Sequence, residues 1–202
     1  MSATRLFMYR ILAGILLIIL FPLWIILYIV VKVTSPGPFI FSQTRWGRNK
    51  KPFTLYKIRT MVVDAEQRKK KLLSRNEVEP PAFKIAHDPR FTALGHFLSR
   101  TGIDELPQLL NIVKGEMSFV GPRPLPVNEA KKIPAKYDAR FSTVPGITSS
   151  WAVQGSHALG FAQWMKLDIE YGKSNNLRTD LDIMLRTMAL IIRKLVWPAS
   201  IK

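Results

Sequence analysis

The sequence predicts a mainly α protein with a small β-hairpin (an α+β fold), joined to an N-terminal helix that enters a membrane. Three observations lead to this fold class. Apolar residues recur at helical spacing in several segments, one pair of short strand-like runs flanks a polar turn, and the run from Ile11 to Val31 contains no charged residue. We therefore divide the 202 residues into a membrane helix over residues 1–35 and one folded domain over residues 36–202.

The composition indicates anionic partners. The chain has 30 basic and 14 acidic residues, a net charge of +16, and most of the basic excess lies in the first half, after the apolar run. This placement favours a membrane surface. We expect no nucleic-acid partner, because no helix-turn-helix, zinc or RNA-recognition signature is present. The absence of cysteine excludes a disulfide framework and a thiolate metal site, and the three scattered histidines argue against zinc.

The N-terminal apolar run is predicted to bend inside the membrane. As a helix it would be about 30 Å long, close to the thickness of the hydrocarbon core, and it is too long for a signal peptide. Pro22 lies midway and would remove one helical hydrogen bond. Arg5 and Arg10 precede the run and Lys32 follows it, and cytoplasmic flanks are enriched in such residues. We therefore expect a re-entrant helix with both ends on the cytoplasmic side. A straight span is the alternative that its length allows.

Two short runs after the apolar segment predict the hairpin. Phe39 to Gln43 and Phe53 to Lys57 have strand-like composition, and a polar turn at residues 47–49 lies between them. Four basic side chains are expected at the tip: Arg45, Arg48, Lys50 and Lys51. Because a membrane segment adjoins the hairpin, we expect them to face anionic lipid headgroups, the alternative being a solvated turn.

Four further segments are predicted to be helical. Residues 65–75 form an exposed helix with a basic face, and Leu94, Phe97 and Leu98 mark a short amphipathic helix. Val127 to Phe141 is predicted as a surface helix. The last helix has apolar residues at helical spacing, with basic and aromatic residues close by: Leu185, Met188, Ala189, Ile192, Leu195, Arg193, Lys194 and Trp197. That pattern fits either an amphipathic helix in the membrane interface or a helix of the core.

The stretch from Gly102 to Pro124, GIDELPQLLNIVKGEMSFVGPRP, holds the candidate chemistry. Asp104 and Glu105 stand side by side ahead of Pro107, and proline is tolerated in the first turn of a helix. We expect a helix to start here and to end at Gly115, with the acidic pair at its positively polarised N-terminus. Its buried face would consist of Leu106, Leu109, Leu110 and Val113.

A single arginine completes this constellation. Pro122 and Pro124 hold Arg123 in an extended backbone, and a guanidinium presented in this way can bind a phosphate through two parallel hydrogen bonds. Phosphoryl chemistry needs such a set, because a carboxylate attacks phosphorus only where Mg²⁺, arginine and helix-terminal N–H groups offset the repulsion between the anions. The alternative for the acidic pair alone is an ordinary solvated helix cap.

The stretch DELPQLLNIVKGEMSFVGPRP closely resembles the signature of the bacterial sugar transferases, the monotopic phosphoglycosyl transferases. The resemblance extends through FIFSQTRWGRNKKPFTLYKIRTM, DPRFTALGHFLSRT and VPGIT, and covers about residues 36–188. It implies transfer of a phosphosugar from a UDP-sugar to a polyprenyl (undecaprenyl) phosphate through a covalent enzyme intermediate, with release of UMP. It also implies a catalytic domain on the cytoplasmic face of the bacterial inner membrane, and a place at the first membrane step of polysaccharide synthesis.

The resemblance also implies the site residues. Asp104 matches the nucleophile and would contact Mg²⁺, and Glu105 would act on the incoming lipid phosphate as a base or a positioning group. The residues expected to bind phosphate or the donor, directly or through hydrogen bonds, are Lys57, Arg59, Arg100, Arg123 and Asp168. For Asp168 a helix-surface acid is the alternative. Asp182 matches a further acidic position, without an assigned role.

The sequence departs from the family pattern at several positions, and three of these departures bear on the membrane helix and the donor. Phe21 precedes Pro22 where the family has serine, and Ser149 and Ser156 replace a glycine and an arginine near the donor. The identity of the sugar therefore stays open, as do the oligomeric state, including a homo-oligomer, and the length of the polyprenol. The alternative to an enzyme is a non-catalytic, basic, membrane-anchored binding module that recruits anionic partners.

Overall fold

The computed structural model describes residues 1–154 and 159–196, and its elements follow the predicted α+β class. The helices are α1 Ala3–Ile19, α2 Phe21–Thr34, α3 Ala65–Lys71, α4 Ala93–Thr101, α5 Gln108–Lys114, α6 Val127–Ala130, α7 Ser150–Val153, α8 Phe161–Ser174 and α9 Leu177–Val196. The strands are β1 Ile40–Trp46, β2 Pro52–Ile58, β3 Ser118–Val120 and β4 Gly146–Thr148. Short 3₁₀ helices lie at Arg48–Lys50, Leu73–Arg75, Ile103–Glu105 and Ala135–Ser142.

The N-terminal apolar run forms two helices instead of one. α1 ends at Leu20, and α2 carries Pro22 in its first turn, where a missing N–H costs no intrahelical hydrogen bond. The helix axis bends by 62° between α1 and α2. Within residues 1–154 and 159–196, no single helix has both the length and the hydropathy of a membrane span, and only the bent pair α1 and α2 meets that description together. The break lies where the sequence predicted it.

Both helices of the pair bury one narrow face and leave the other uncovered. α1 packs Tyr9 and Ala13 against the core, and α2 packs Leu27 and Val31 against Ile58 and its neighbours. The exposed large apolar side chains include Phe7, Met8, Ile11, Ile15, Ile18, Ile19, Phe21, Ile25, Ile26, Ile29 and Val33. A contiguous apolar surface of this kind indicates contact with a membrane or another apolar partner.

The predicted hairpin is present, and a second small sheet accompanies it. β1 pairs antiparallel with β2, from Ile40 opposite Ile58 to Trp46 opposite Pro52. β3 and β4 pair in parallel, a pairing that the sequence analysis did not predict. The two backbones meet so closely at Gly146 that a Cβ there would lie 2.1 Å from the backbone nitrogen of Gly121, so glycine is required.

A buried amide joins the hairpin to the helix that follows the acidic pair. Asn111 of α5 accepts a hydrogen bond from the backbone N–H of Tyr56 (3.3 Å) and donates to the carbonyl of Thr54 (2.7 Å). Its amide also donates to a carboxylate oxygen of Glu116 at 2.7 Å. These bonds satisfy a fully buried polar group and fix α5 against the edge of β2.

Two predicted helices differ in the structure. Val127 to Phe141 is not continuous, because Pro134 interrupts it; α6 is a single turn, and a 3₁₀ helix follows Pro134. The acidic pair lies in its own 3₁₀ turn ahead of α5, instead of in the first turn of that helix. Gly115 does end α5, with a φ of 80°, whereas Leu110 is 44% exposed and does not belong to the buried face.

The last helix presents an apolar stripe to the outside. Ile183 of α9 is buried, and the apolar side chains that lie three or four residues apart are exposed: Leu177, Leu181, Leu185, Met188, Ile192 and Leu195. The interpretation as a core helix is therefore wrong for this face. The remaining interpretation is an amphipathic helix whose apolar face has another partner. Trp197 and Ser156 lie outside the described residues.

Candidate active site

Four charged side chains form a compact cluster between the hairpin and the 3₁₀ turn of the acidic pair. The ammonium group of Lys57 lies 2.6 Å from Glu105 Oε1 and 3.4 Å from Asp104 Oδ2. The guanidinium of Arg123 donates to the same Glu105 oxygen at 3.2 Å. Lys57, Asp104 and Glu105 are largely buried, whereas the side chain of Arg123 is 39% exposed. The structure thus brings together four of the predicted site residues.

Local structure explains why these side chains meet. Phe53, Leu55 and Lys57 alternate along β2, so the lysine lies on the same face as the buried apolar residues. α4 ends at Gly102, whose φ of 76° reverses the chain into the 3₁₀ turn that carries the acidic pair. β3 then leads through Gly121 and Pro122 to Arg123.

The pKa values of the two adjacent carboxylates are shifted in opposite directions. Burial raises the pKa of Asp104, and repulsion by Glu105 adds to this, while the attraction of Lys57 opposes it. Burial also acts to raise the pKa of Glu105, but the attraction of Lys57 and Arg123 outweighs burial and lowers that pKa to about 2. Glu105 is thus a stable anion with two cationic partners, whereas Asp104 is an anion that the protein solvates poorly.

A small cleft opens beside the cluster. It is lined by Arg45, Leu55, Lys57, Glu105, Gln108, Arg123, Pro124 and Gly146. Three of these side chains are cationic, a composition that suits a phosphate group. Asp104 lies beside the cleft, with only 4% of its surface exposed.

A buried ion pair supports Arg123 from behind. Arg140 donates to the carbonyl oxygen of Arg123 at 2.9 Å and to Asp168 Oδ2 at 2.7 Å, and both Arg140 and Asp168 are about 1% exposed at their side chains. Asp168 is therefore not an exposed helix-surface acid, and its contact with the site runs through Arg140. The sequence analysis did not identify Arg140, because it assigned the surrounding segment to a surface helix. Pro134, which precedes the 3₁₀ helix that contains Arg140, was the signal against a regular helix there.

Arg45 belongs to the site and not to the hairpin tip. It lies within β1, and its guanidinium donates to the carbonyl of Pro124 at 3.0 Å. The expectation that it faces lipid headgroups is wrong, because its side chain points into the cleft that Lys57 and Arg123 line. At the tip itself, Lys50 forms an exposed salt bridge with Asp138 at 2.7 Å.

Two other predicted phosphate ligands have different contacts. Arg59 lies one residue beyond β2, and its guanidinium donates to the carbonyls of Ser35 (2.7 Å) and Pro36 at the end of α2. The described contacts therefore tie Arg59 to the end of α2 and not to the acidic pair. Arg100 lies in the last turn of α4, with one guanidinium nitrogen buried and without a hydrogen-bond partner in the part of the chain described.

The carboxylates alone do not form a complete metal site. Residues 1–154 and 159–196 contain no group of three or more histidine, cysteine, aspartate or glutamate side chains that could hold a metal ion. In the same residues, Asp104 Oδ1 and Glu105 Oε2 make no hydrogen bond to another group. Mg²⁺ commonly binds to one or two carboxylates and takes its other ligands from substrate phosphates and water. The residues present fit that arrangement.

The fold and the cluster define a basic, mainly helical protein with a paired-carboxylate site suited to phosphoryl substrates. Comparison with known sequences then gives the family. The chain belongs to the bacterial sugar transferase family, whose model matches residues 2–194. The resemblance found in the sequence is thereby confirmed.

Three relatives show the range of this similarity. The chain is 44% identical over 157 residues to the galactosyl transferase CpsE of Streptococcus agalactiae. The matched residues make up 77% of this chain and 35% of the relative. It is 37% identical over 184 residues to the undecaprenyl-phosphate galactose phosphotransferase of Salmonella typhimurium, covering 89% of this chain and 38% of the relative. It is 30% identical over 186 residues to the exopolysaccharide production protein ExoY of Rhizobium meliloti, and the match covers 89% of this chain and 81% of ExoY. The chain thus spans a little over a third of the first two relatives and most of ExoY.

Proposed function

We propose that this protein transfers a sugar phosphate from a UDP-sugar to undecaprenyl phosphate or a similar polyprenyl phosphate, and releases UMP. The observation that carries the proposal is the cluster of two carboxylates with Lys57 and Arg123 beside a cleft lined by basic side chains. Relatives support the substrate class, since one is named for undecaprenyl phosphate and galactose, and one from Escherichia coli for UDP-glucose and undecaprenyl phosphate.

The reaction would proceed in two displacements at one phosphorus atom. In the first, a carboxylate oxygen of Asp104 attacks the phosphorus that carries the sugar, the phosphorus–oxygen bond to UMP breaks, and the bonding electron pair leaves with UMP. In the second, a phosphate oxygen of the polyprenyl phosphate attacks the same phosphorus. The bond to Asp104 breaks, the carboxylate is restored, and a polyprenyl diphosphate sugar is formed.

The contacts of the two carboxylates favour Asp104 over Glu105 as the nucleophile. Glu105 holds its charge against two cations at 2.6 and 3.2 Å, so its oxygens are poor electron-pair donors. Asp104 has one long contact, 3.4 Å from Lys57, in a buried position. Because the pKa of Glu105 is about 2, Glu105 is also a weak base, so we assign it the positioning role: it holds Lys57 and Arg123 where the phosphate must bind.

Asp104, together with Glu105, would hold Mg²⁺ through the carboxylate oxygens that make no other bond. When bound, the ion would neutralise part of the charge of the donor diphosphate. Lys57 and Arg123 contribute in the same direction, because their charges face the cleft where the phosphate oxygens would lie.

The test of the chemistry is a search for the covalent intermediate. Purified protein is incubated with a panel of UDP-sugars and Mg²⁺, without lipid, and the intact mass is measured. We expect a mass increase of one sugar phosphate with one donor, located on Asp104 by peptide sequencing, and its loss on addition of polyprenyl phosphate. An adduct on another residue, or lipid product without any adduct, would contradict the two-step route. Near-normal turnover of Glu105→Gln would reduce Glu105 to a structural carboxylate.

The same assay decides between an enzyme and the alternative binding module. UMP release that depends on both the lipid and a divalent cation supports the transferase. Binding of the donor and the lipid without UMP release, for every donor in the panel, would favour a module that only recruits anionic partners. Membership in a transferase family favours the first outcome.

We also propose that α1 and α2 enter one leaflet of the bacterial inner membrane and return, so that the site faces the cytoplasm. The 62° bend and the exposed apolar surface of both helices support this path, and Arg5 and Arg10 in the first half of α1 and Lys32 near the end of α2 favour the same side.

Cysteine labelling tests the path in this cysteine-free chain. Ser2→Cys is probed with a membrane-impermeant thiol reagent in cells with a permeable outer barrier, and Lys70→Cys on exposed α3 serves as the cytoplasmic control. We expect both to be protected until the inner membrane is lysed. Labelling of Ser2→Cys alone would indicate a spanning helix. Pro22→Leu should straighten the pair and increase the labelled fraction.

A further inference from the structure

Arg45 is a third cationic residue in the lining of the cleft, and the proposed chemistry gives it no role. It lies on β1 and lines the cleft together with the two residues that bind Glu105. One of its terminal guanidinium nitrogens donates to the carbonyl of Pro124 at 3.0 Å. Its Nε is buried and has no hydrogen-bond partner among the residues that the structure describes. An arginine carries five N–H donors, so most of the donor capacity of Arg45 is unused.

The charges around the cleft are not balanced at Arg45. Lys57 and Arg123 both form salt bridges with Glu105, whereas Arg45 has no carboxylate within 4 Å in the described part of the chain. Glu129, which attracts Arg45 from further away, is itself bonded to Lys69 at 3.0 Å. Burial and, after it, repulsion by Arg123 lower the pKa of Arg45 to about 10, so the group is still charged at pH 7.

A buried cation without an anionic partner is costly, and a bound anion would offset that cost. The ligand must be anionic and must offer several acceptor oxygens, because Arg45 lines the cleft together with two other cations, Lys57 and Arg123. A phosphate group meets both conditions, and its oxygens match the donor fork of a guanidinium.

We propose that Arg45 is a further substrate-binding residue, which donates hydrogen bonds from its guanidinium to an oxygen of a phosphate group in the cleft. The assignment of that phosphate to a substrate depends on the proposed function. Two substrates present the same chemistry: the diphosphate of the UDP-sugar and the monophosphate of the polyprenyl lipid. The contact with Pro124 holds the guanidinium at the wall of the cleft beside Arg123.

The test measures anion binding without turnover. Inorganic pyrophosphate, UDP and dodecyl phosphate are titrated into the purified protein in detergent, with calorimetric detection. Arg45→Gln is compared with Arg75→Gln, which removes an exposed arginine of the 3₁₀ turn after α3. For Arg45→Gln we expect the affinity for pyrophosphate to fall about tenfold or more, the value of a charge-assisted hydrogen bond. For Arg75→Gln we expect no change, and similar unfolding midpoints show that both variants fold.

A double-mutant cycle separates direct binding from an effect through Arg123. If Arg45 only positions Arg123 by way of Pro124, then Arg45→Gln in an Arg123→Gln background changes pyrophosphate affinity no further, and the proposal is overturned. If Arg45 binds phosphate itself, that background still shows a further loss of about tenfold.

The other two ligands identify the source of the phosphate. A loss of affinity for UDP assigns Arg45 to the donor diphosphate, and a loss for dodecyl phosphate assigns it to the lipid acceptor. Unchanged affinity for all three anions overturns the proposal. Because these measurements need no catalysis, they stand even if the search for a covalent adduct fails, and a positive adduct search does not depend on Arg45.

Discussion

Asp104 and Asp180 are both buried aspartates next to a basic residue, yet the protein surrounds them differently. Asp180 of α9 is fully buried and accepts hydrogen bonds from the hydroxyls of Tyr9 (2.7 Å) and Tyr171 (2.6 Å), with Arg5 Nε at 3.5 Å. Asp104 has a single contact with Lys57 at 3.4 Å and a second carboxylate as its sequence neighbour.

The difference separates a carboxylate that holds the fold together from one that is available to react. Both oxygens of Asp180 have donors, and these come from α1 and α8, so the residue joins three helices through one charge. Within the described residues, Asp104 keeps an oxygen without a hydrogen bond and lies beside the basic cleft. A poorly solvated anion costs stability, and such anions are common in functional sites.

The largest expected effect is on turnover in Asp104→Asn. The amide cannot attack phosphorus, so we expect turnover to fall by at least about a thousandfold. Stability should not fall. Since the pKa of Asp104 is raised in the folded protein, its ionised form destabilises the fold above the unfolded pKa, and a neutral asparagine removes that cost.

Turnover assays and thermal unfolding at pH 7 and pH 3 measure both effects. The gain in stability should shrink at pH 3, where the aspartate itself is protonated in both states. A clear loss of unfolding midpoint at pH 7 would mean that Asp104, like Asp180, mainly holds the fold together.

The next effect is on stability in Asp180→Ala. The substitution leaves the largely buried guanidinium of Arg5 without its carboxylate, which typically costs about 3–5 kcal/mol. The matched control is Asp182→Ala, two residues along the same helix. Asp182 is exposed and pairs only with Arg186 at 2.9 Å, so its loss should cost no more than about 0.5 kcal/mol. Chemical unfolding of the three proteins in detergent compares them, and equal midpoints would contradict the structural role of Asp180.

The pair Asp180 and Asp182 also shows where sequence reasoning stops. Residue spacing predicted the hairpin, the bend at Pro22 and the cap at Gly115, because each depends on the local chemistry of a few neighbouring residues. It did not tell which of two acidic residues on α9 is buried. That is decided by Tyr9 of α1, 171 residues away in the sequence, and by Tyr171 of the preceding helix α8.

The candidate site shows the same limit. The acidic pair, Lys57 and Arg123 were found from motifs and from the family resemblance, and the structure brings them together. Arg45 was predicted at the hairpin tip but bonds to the carbonyl of Pro124 in the cleft, and Arg59 bonds to carbonyls at the end of α2, because both guanidinium groups are held by carbonyls on other segments of the chain. No feature of the sequence near Arg140 indicated that it would become buried against Asp168.

Within the acidic pair itself, Glu105→Gln should change stability in the opposite direction from Asp104→Asn. The pKa of Glu105 is lowered from 4.5 to about 2, so the ionised group contributes stability at neutral pH. That contribution is present above pH 4.5 and is lost as the pH falls toward 2, and at pH 7 it amounts to about 3 kcal/mol. Unfolding midpoints at pH 7 and pH 3 measure it. A destabilisation that does not decrease at pH 3 would show that the loss comes from packing instead of charge.

The smallest effect separates the parts of the Asp180 cluster. Tyr171→Phe removes one hydroxyl that lies 2.6 Å from Asp180 and 3.1 Å from the carbonyl of Val120. The carboxylate of Asp180 keeps its contacts with Tyr9 and Arg5. We therefore expect the free energy of unfolding to fall by about 1–2 kcal/mol.

Val120 precedes the segment that carries Arg123, and this gives the same substitution a second readout. If the hydroxyl of Tyr171 only stabilises Asp180, Tyr171→Phe lowers the unfolding midpoint and leaves the Michaelis constant for the UDP-sugar unchanged. Tyr9→Phe is the control, because Tyr9 bonds the same carboxylate from α1 and has no recorded hydrogen bond to Val120. A rise in the Michaelis constant in Tyr171→Phe but not in Tyr9→Phe would show that the two buried regions are coupled through β3. Asp180 would still be a structural carboxylate and Asp104 a reactive one. Tyr171 and Val120, however, would contribute both to the stability of the fold and to the binding of the donor.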